Sequence, residues 1–341
     1  MKYRPLGDTG LRVSELCLGA MTFGTGFYGI GQVDLPGATA LVRRALDGGI
    51  NFFDTADIYS RGESEQLLGR ALADLGVPRD EVVLATKVRG PMSDAAASGA
   101  GDVNNVGLSR KHILASCDAS LRRLGTDHID LYQVHGWDSA TPLEETMSAL
   151  NDLVRQGKVR YAGCSNFAAW HVVKANAVAR AAGGEPFRSL QAHYSLASRD
   201  LEAELVPMCA AEGLGVMVWS PLAGGFLTGK FRRDREAPGD ARRAGFDFPP
   251  LDKERAYDIV DALDAMARDK GASIAQLALA WLLHQRGVST VILGAKKLAQ
   301  LDDNLGAVNV RFSPDELARL DALTRLEPRY PEWMIARFAR S

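Results

Sequence analysis

The chain has 341 residues, of which 46% are hydrophobic and 24% charged, a composition typical of a globular protein with a substantial buried core. Its 40 Lys and Arg nearly balance its 42 Asp and Glu, so the net charge of -2 gives no overall basic field for nucleic acid or anionic lipid. No apolar run is long enough to predict a membrane span, and the first residues lack a signal-peptide pattern. We therefore expect a cytoplasmic protein.

The four cysteines predict neither a disulfide framework nor a metal site. They are far apart in sequence, with no C-x-x-C pair and no histidine at the spacing of zinc ligands. Free cysteine usually behaves as a small apolar residue. We expect four buried thiols, Cys17, Cys117, Cys164 and Cys209.

Read in chain order, the predicted elements begin with a hairpin at residues 1–15, in which segments 4–6 and 11–13 flank a Gly-Asp-Thr-Gly turn. Short apolar runs then alternate with longer amphipathic stretches up to residue 310. Strands are predicted at 16–20, 50–53, 82–86, 129–134, 159–164, 189–194, 215–219 and 288–293. Helices are predicted at 36–47, 63–75, 109–124, with Ser109 as N-cap, 143–156 and 201–211.

Eight strand-helix units predict an α/β fold with one closed parallel (β/α)8 barrel, a TIM barrel, whose bottom the hairpin closes. A doubly wound open sheet is the alternative, but residues 19–24 read GAMTFG and lack its G-x-G-x-x-G motif. No linker divides the chain, so residues 1–341 are predicted to form one domain. Segments 89–107 and 231–250 are predicted active-site loops at the C-terminal face of the barrel, and 325–341 is a C-terminal tail.

Four polar residues follow predicted strands: Asp54, Tyr59, Lys87 and His135. The C-terminal ends of barrel strands converge on one pocket, so these side chains are expected to be neighbours. A nearby ammonium favours a phenolate, and Lys87 is therefore expected to lower the pKa of Tyr59 into a range where it exchanges a proton. Asp54 would hold Lys87, and His135 would orient a substrate carbonyl.

Several motifs together resemble the aldo-keto reductase superfamily over essentially the whole chain, in particular its bacterial-type NADPH-dependent members. They are NFFDTADIY at 51–59, ATK at 85–87, YQVH at 132–135, GCSNF at 163–167, WSPLAGG at 219–225 and GAKK at 294–297. The resemblance implies a (β/α)8 barrel that reversibly reduces an aldehyde or ketone to an alcohol with NADPH. It also implies that Tyr59 is the general acid of a catalytic tetrad with Asp54, Lys87 and His135.

The same resemblance implies a site for NADPH or NADP+. Ser165, Asn166 and Gln191 would hold the carboxamide of the nicotinamide, and Trp219 would stack on its ring. Lys296 would face the 2'-phosphate, which predicts NADPH over NADH. The complete set of predicted cofactor residues is Gly19, Met21, Asp54, Ser165, Asn166, Gln191, Trp219, Ser220, Pro221, Leu222, Gly225, Lys230, Gly294, Lys296, Gln300, Asp303 and Asn304.

The substrate side is predicted from aromatic and apolar residues near the barrel mouth, namely Tyr28, Met92 and Trp137, with Phe27 and the tail segment 329–333 as further candidates. A small carbonyl or alcohol substrate is expected as partner, with no metal, nucleic acid or membrane. Whether the chain is a monomer or a homo-oligomer stays open at this point.

Two other functions remain as alternatives. One is a cofactor-binding regulatory subunit like the potassium-channel beta subunits of this superfamily, although those characteristically have Asn where this chain has His135. The other is a barrel lyase or isomerase that forms a Schiff base on Lys87.

Overall fold

The computed structural model describes residues 1–30, 32–234, 239 and 241–339, which include a closed barrel of parallel strands surrounded by helices. The strands are β1 (Tyr3–Pro5), β2 (Arg12–Ser14), β3 (Leu16–Gly19), β4 (Gly24–Thr25), β5 (Gln32–Val33), β6 (Phe52–Asp54), β7 (Val83–Val88), β8 (Ile129–Val134), β9 (Val159–Ser165), β10 (Ser189–His193), β11 (Gly215–Trp219) and β12 (Val288–Gly294). The barrel runs in the order β10-β11-β12-β3-β6-β7-β8-β9. The predicted fold class and its eight barrel strands are confirmed.

Helices follow most of the barrel strands and cover its outer surface. They are α1 (Leu35–Asp47), α2 (Glu63–Asp74), α3 (Asp94–Ser98), α4 (Arg110–Leu124), α5 (Leu143–Arg155), α6 (Ala169–Ala181), α7 (Leu205–Glu212), α8 (Arg242–Gly245), α9 (Lys253–Lys270), α10 (Ile274–Leu283), α11 (Leu298–Leu305), α12 (Pro314–Thr324) and α13 (Glu332–Phe338). Ser109 caps α4 as predicted, because its side chain accepts a hydrogen bond from the His112 amide. None of the described helices has both the length and the apolar composition needed to cross a membrane.

The barrel strands bury both of their faces, which explains why the sequence shows continuous apolar runs. In β3, Leu16 and Leu18 belong to the layer between the strands and the helices, whereas Cys17 faces the barrel interior. The interior is filled by a small separate cluster made of Leu6, Val13, Cys17, Phe52, Val83, Ala85, Leu131, Met217 and Ile292. The four cysteines are buried and free.

The N-terminal hairpin of β1 and β2 is antiparallel and supplies two of these interior residues, Leu6 and Val13. Gly7 lies in its turn with φ +58°, and a Cβ there would collide with the backbone at Gly213 and Gly215 at the start of β11. Only glycine allows the turn to approach the barrel so closely. The hairpin therefore packs against the end of the barrel opposite the polar strand ends.

Both long segments predicted as loops contain a short helix. Segment 89–107 contains α3, and segment 231–250 contains α8, although residues 235–238 and 240 lie outside the described part. The predicted tail of residues 325–341 contains α13, and its last two residues are likewise not described.

Candidate active site

A cavity of about 1060 Å³ lies at the C-terminal ends of the barrel strands. This volume is at the upper end of the range of small-molecule and cofactor pockets. Asp54, Tyr59 and His135 line it, and Lys87 lies directly behind its wall with no exposed surface. The structure thus brings the four predicted polar residues, called the tetrad below, to one place.

Lys87 joins the tetrad through its ammonium group. Its Nζ donates hydrogen bonds to Asp54 Oδ2 at 2.6 Å and to the Thr55 carbonyl at 2.7 Å, and it lies 3.4 Å from the Tyr59 hydroxyl. Lys87 and Asp54 are 0% and 4% exposed, so water screens the pair very little. The predicted Asp54–Lys87 pair is present, and it aims the ammonium at Tyr59.

The other oxygen of Asp54 is held by two amides. Asp54 Oδ1 accepts hydrogen bonds from Gln133 Nε2 at 3.0 Å and from Gln191 Nε2 at 2.9 Å. A buried carboxylate needs partners for both of its oxygens. Gln133 was not among the site residues predicted from the sequence, and its hydrogen bond to Asp54 was therefore not expected.

The pKa of Tyr59 departs from the sequence-based expectation. Burial raises this pKa above its ordinary value, and the opposing effect of Lys87 does not overcome it, so the expected net lowering is wrong for this structure. Burial also works against the charge of Lys87, but Asp54 and Tyr59 outweigh it and raise the pKa of Lys87. At neutral pH the site therefore holds a neutral phenol beside a charged ammonium.

His135 stands beside Tyr59 as a neutral imidazole. The two rings are edge to face, with centroids 5.6 Å apart. Burial, with further repulsion from Lys87 and Arg89, lowers the pKa of His135 to about 3. A neutral imidazole can donate one hydrogen bond to a substrate oxygen without competing with Tyr59 for its proton.

The chain turns sharply after Tyr59. Ser60 and Arg61 have φ values of 48° and 52°, and Gly62 follows with φ 91° before α2 begins. Non-glycine residues in the left-handed region are uncommon and concentrate at functional sites. This turn places the Tyr59 hydroxyl at the cavity instead of directing the chain straight into the helix.

All residues predicted to contact the cofactor line the same cavity. They are Gly19, Met21, Asp54, Ser165, Asn166, Gln191, Trp219, Ser220, Pro221, Leu222, Gly225, Lys230, Gly294, Lys296, Gln300, Asp303 and Asn304. No Cβ would meet an atom within 4 Å at Gly225 or Gly294, so both leave open space along the wall. A cavity of this volume with small residues, amides and lysines on its wall fits a dinucleotide with phosphates.

Several of these residues have partners within the protein. Gln300 Oε1 accepts hydrogen bonds from the backbone amides of Lys296 and Lys297, and so caps the start of α11. Lys296 Nζ donates to Gln32 Oε1 at 3.2 Å, which links the segment before α11 to β5. The Asp303 carboxylate accepts hydrogen bonds from Ser273 and Gln276 on α10 and its cap, so it also ties two helices together.

Trp219, at the end of β11, presents a ring to the cavity and stacks on His193, with centroids 4.6 Å apart and an angle of 23° between the rings. Its Nε1 is buried without a protein hydrogen-bond partner among the described residues. Burial lowers the pKa of His193 to about 4, so this ring is neutral as well. His193 therefore supports Trp219 from one face.

Residues 15–325 match the family model of the Aldo/keto reductase family. The chain belongs to the aldo/keto reductase family. It is 40% identical to "Uncharacterized oxidoreductase YrpG" of Bacillus subtilis (94% of this chain, 95% of that protein) and 36% identical to "Versiconal hemiacetal acetate reductase" of Aspergillus parasiticus (94% and 96%). It is also 37% identical to a "Probable voltage-gated potassium channel subunit beta" of rice (97% and 99%). Membership in this family supports the assignment of the protein as an oxidoreductase that reduces carbonyl groups. Aldo/keto reductases generally use NAD(P)H.

Of the residues predicted for the substrate side of this aldo/keto reductase, the structure places only some on the cavity wall. Tyr28 and Phe27 line the cavity, but Met92 and Trp137 are not among its lining residues. The Trp137 ring instead stacks on His171 of α6, with centroids 3.9 Å apart. The tail segment 329–333 also lies away from the cavity wall.

Segment 231–250 was predicted as an active-site loop, but the individual side chains by which it contributes to this wall were not predicted. The side chains concerned are Arg242, Phe246 and Phe248. The two aromatic residues in a polar segment were the available signal, because a loop has no core in which to bury them. Within the described residues, no group of three or more His, Cys, Asp and Glu side chains is placed to hold a metal ion.

Proposed function

We propose that the protein is a cytoplasmic, NADPH-dependent reductase that reversibly converts an aldehyde or ketone into the alcohol, with residues 1–341 as one catalytic domain. The observation that carries this proposal is the position of the Lys87 ammonium, 2.6 Å from Asp54 and 3.4 Å from the Tyr59 hydroxyl at the cavity wall. A nicotinamide cofactor supplies a hydride to the carbonyl carbon when it is bound.

The protein's own groups then handle the proton and the charge. Tyr59 is the general acid, and its raised pKa keeps the proton available until negative charge develops on the carbonyl oxygen. The Lys87 ammonium stabilises the phenolate that remains, and Asp54 keeps the ammonium in place. Neutral His135 orients the carbonyl oxygen. Alcohol oxidation runs through the same groups in reverse, with the phenolate as base.

Four cations on the cavity wall support a cofactor that carries phosphates: Lys230, Arg242, Lys296 and Lys297. The chain as a whole is close to neutral, so these side chains provide a local positive potential where phosphates would lie. Of the four, we assign Lys296 to the extra 2'-phosphate that distinguishes NADPH from NADH.

Substitution of Tyr59 by Phe tests the mechanism. Tyr59→Phe removes the proton donor and keeps the ring, so carbonyl reduction should fall by about 10²- to 10⁴-fold. NADPH binding, followed by quenching of tryptophan fluorescence, should be unchanged. Tyr132→Phe is the matched control, because Tyr132 is buried in the core away from the cavity and should keep full turnover. Full turnover by Tyr59→Phe would refute the role of Tyr59.

The Schiff-base alternative requires a neutral amine at Lys87. The buried ion pair with Asp54 and the raised pKa of Lys87 both favour its ammonium form, which is not nucleophilic. Borohydride treatment in the presence of a carbonyl substrate is therefore expected to leave Lys87 unmodified, whereas a covalent adduct on Lys87 would favour the lyase or isomerase function.

A further inference from the structure

One side of the cavity is formed by a continuous row of aromatic side chains, which we call the aromatic belt. Each ring contacts the next, and every member lines the cavity. In order of contact, the members are His135, Tyr59, Phe27, Tyr28, Phe246, Phe248 and Trp219. The belt begins at His135, beside the proposed proton donor Tyr59, and ends at Trp219, the ring proposed to face the nicotinamide.

In the inner half of the belt, Tyr28 packs on Phe27, and Phe27 packs on Tyr59, the proposed proton donor. Phe27 meets the Tyr59 ring at a centroid distance of 5.1 Å and an angle of 61°, and Phe27 meets Tyr28 at 4.8 Å and 72°. These are edge-to-face contacts, the arrangement that the quadrupoles of aromatic rings prefer. A substrate whose carbonyl reaches Tyr59 must therefore pass along aromatic surface.

The outer half of the belt comes from the segment after α8. Phe246 stacks on Tyr28, with centroids 5.3 Å apart and an angle of 17°, and it contacts Phe248 at 5.4 Å. The Phe248 ring lies parallel to the Trp219 ring, at 6.0 Å and 6°. Tyr28 and Phe248 are still 67% and 41% exposed, so the belt presents large uncovered ring surfaces to the cavity mouth.

The outer half is held in place from behind. Arg243, only 7% exposed, donates hydrogen bonds to the carbonyls of Ala223 and Pro249, both at 2.9 Å, and forms an ion pair with Asp247. A Cβ on Gly224 would collide with the Phe248 carbonyl, so a glycine is needed where the two segments cross. These contacts hold the backbone that carries Phe246 and Phe248 in place, which lowers the entropic cost of ordering this segment when a ligand binds.

We propose that the substrates of this reductase are aldehydes and ketones that carry an aromatic ring, with the ring bound on the aromatic belt. An aliphatic substrate of equal size would bury a similar apolar area, but only an aromatic one adds the stacking and edge-to-face attraction of the belt. The inference rests on the proposed function and names the substrate class of the same site.

A pair of ketones that differ only in the ring tests the inference. In 4-phenyl-2-butanone and 4-cyclohexyl-2-butanone, two methylene groups separate the ring from the carbonyl, so both carbonyls have the same intrinsic reactivity. With NADPH as reductant, kcat/KM for the phenyl ketone should be higher by about tenfold. Equal kcat/KM values for the two ketones would overturn aromatic selectivity and leave carbonyl reduction intact.

Two variants locate the selectivity on the belt. Phe246→Leu and Phe248→Leu keep apolar side chains but remove a ring, so each should bring the ratio of the two kcat/KM values towards one. Phe338→Leu is the matched control, because Phe338 lies on the exposed tail helix α13, outside the cavity, and should keep the wild-type ratio. A ratio unchanged in both belt variants would also overturn the proposal.

A binding measurement separates failure of the inference from failure of the proposed function. If neither ketone nor a panel of short aldehydes is reduced, the proposed function is wrong. Calorimetric titration of both ketones into the NADP+-loaded protein then decides the inference by itself. Binding of the phenyl ketone about tenfold more tightly would support the aromatic belt as the ring site, and equal affinities would refute it.

Discussion

The Lys87 ammonium is a fully buried charge whose removal should have a large and specific effect. Lys87→Met leaves the Asp54 carboxylate in the interior, where only the Gln133 and Gln191 amides still donate to it. Because both partners of the ion pair are less than 5% exposed, the buried regime applies, and loss of one partner costs about 3–5 kcal/mol. An exposed pair would cost about 0–1 kcal/mol.

The double variant Asp54→Asn/Lys87→Met separates the charge effect from the loss of packing. It removes both charges, so most of the stability lost in Lys87→Met should return, whereas carbonyl reduction should stay low because Tyr59 has lost the ammonium that stabilises its phenolate. Urea unfolding followed by circular dichroism at pH 7.5 measures the free energies of unfolding, and NADPH consumption measures activity. The reasoning is refuted if Lys87→Met costs less than about 1 kcal/mol, or if the double variant is no more stable than the single one.

Two further predictions concern the cavity wall. Burial lowers the pKa of His193 from 6.5 to about 4, so only the unfolded chain binds a proton between these values, and stability is lost as pH falls from 6.5 towards 4. His193 should account for about 2 kcal/mol of the free energy of unfolding that is lost between pH 7.5 and pH 5. In urea unfolding at these two pH values, His193→Gln should therefore lose about 2 kcal/mol less than the wild type. Equal losses in the variant and the wild type would contradict this prediction. For the cofactor, Lys296→Ala should raise the KM for NADPH by roughly tenfold relative to that for NADH, since a charge-assisted hydrogen bond to phosphate contributes about 1.5–3 kcal/mol. An unchanged ratio of the two KM values would show that Lys296 does not read the 2'-phosphate.

The barrel could be predicted from the sequence because strands buried on both faces appear as continuous apolar runs. The predicted bounds of strands and helices are wrong where local hydrogen bonds or a proline determine the residue at which an element begins. The run predicted from residue 50 begins as a strand only at Phe52, because the Ile50 amide bonds to the Ala45 carbonyl at the end of α1 and the Asn51 side chain accepts from the Ser14 amide.

The helix predicted at 201–211 starts later for a different reason. A helix beginning at residue 201 would place Pro207 in its interior, where proline lacks the N–H that the helix needs. In the structure, a separate short 3₁₀ turn covers Asp200–Glu202, and α7 begins at Leu205. Pro207 then falls in the first turn of α7, where the missing N–H costs no intrahelical hydrogen bond.

The tetrad could be predicted because the topology of a parallel barrel brings strand ends together whatever their separation in sequence. Trp137 shows where such reasoning fails. It follows His135 by only two residues, but the Arg89 side chain donates a hydrogen bond to the Trp137 carbonyl and the ring packs on α6, away from the cavity. Side chains beyond the last strand residue depend on loop contacts that the strand pattern does not encode.

The pKa of Tyr59 could not be predicted from neighbours in the sequence, because its sign depends on how much water the fold removes. Lys87 alone would lower this pKa, but burial raises it by more. The two effects act at different stages of the proposed reaction. Burial keeps the proton on Tyr59 before hydride transfer, and Lys87 stabilises the phenolate after it. Since the same burial also opposes the charge of Lys87, the ammonium depends on Asp54, and Asp54 in turn depends on the two glutamine amides. The proposed proton donor therefore depends on the whole buried network, of which Asp54, Tyr59 and Gln191 reach the cavity wall.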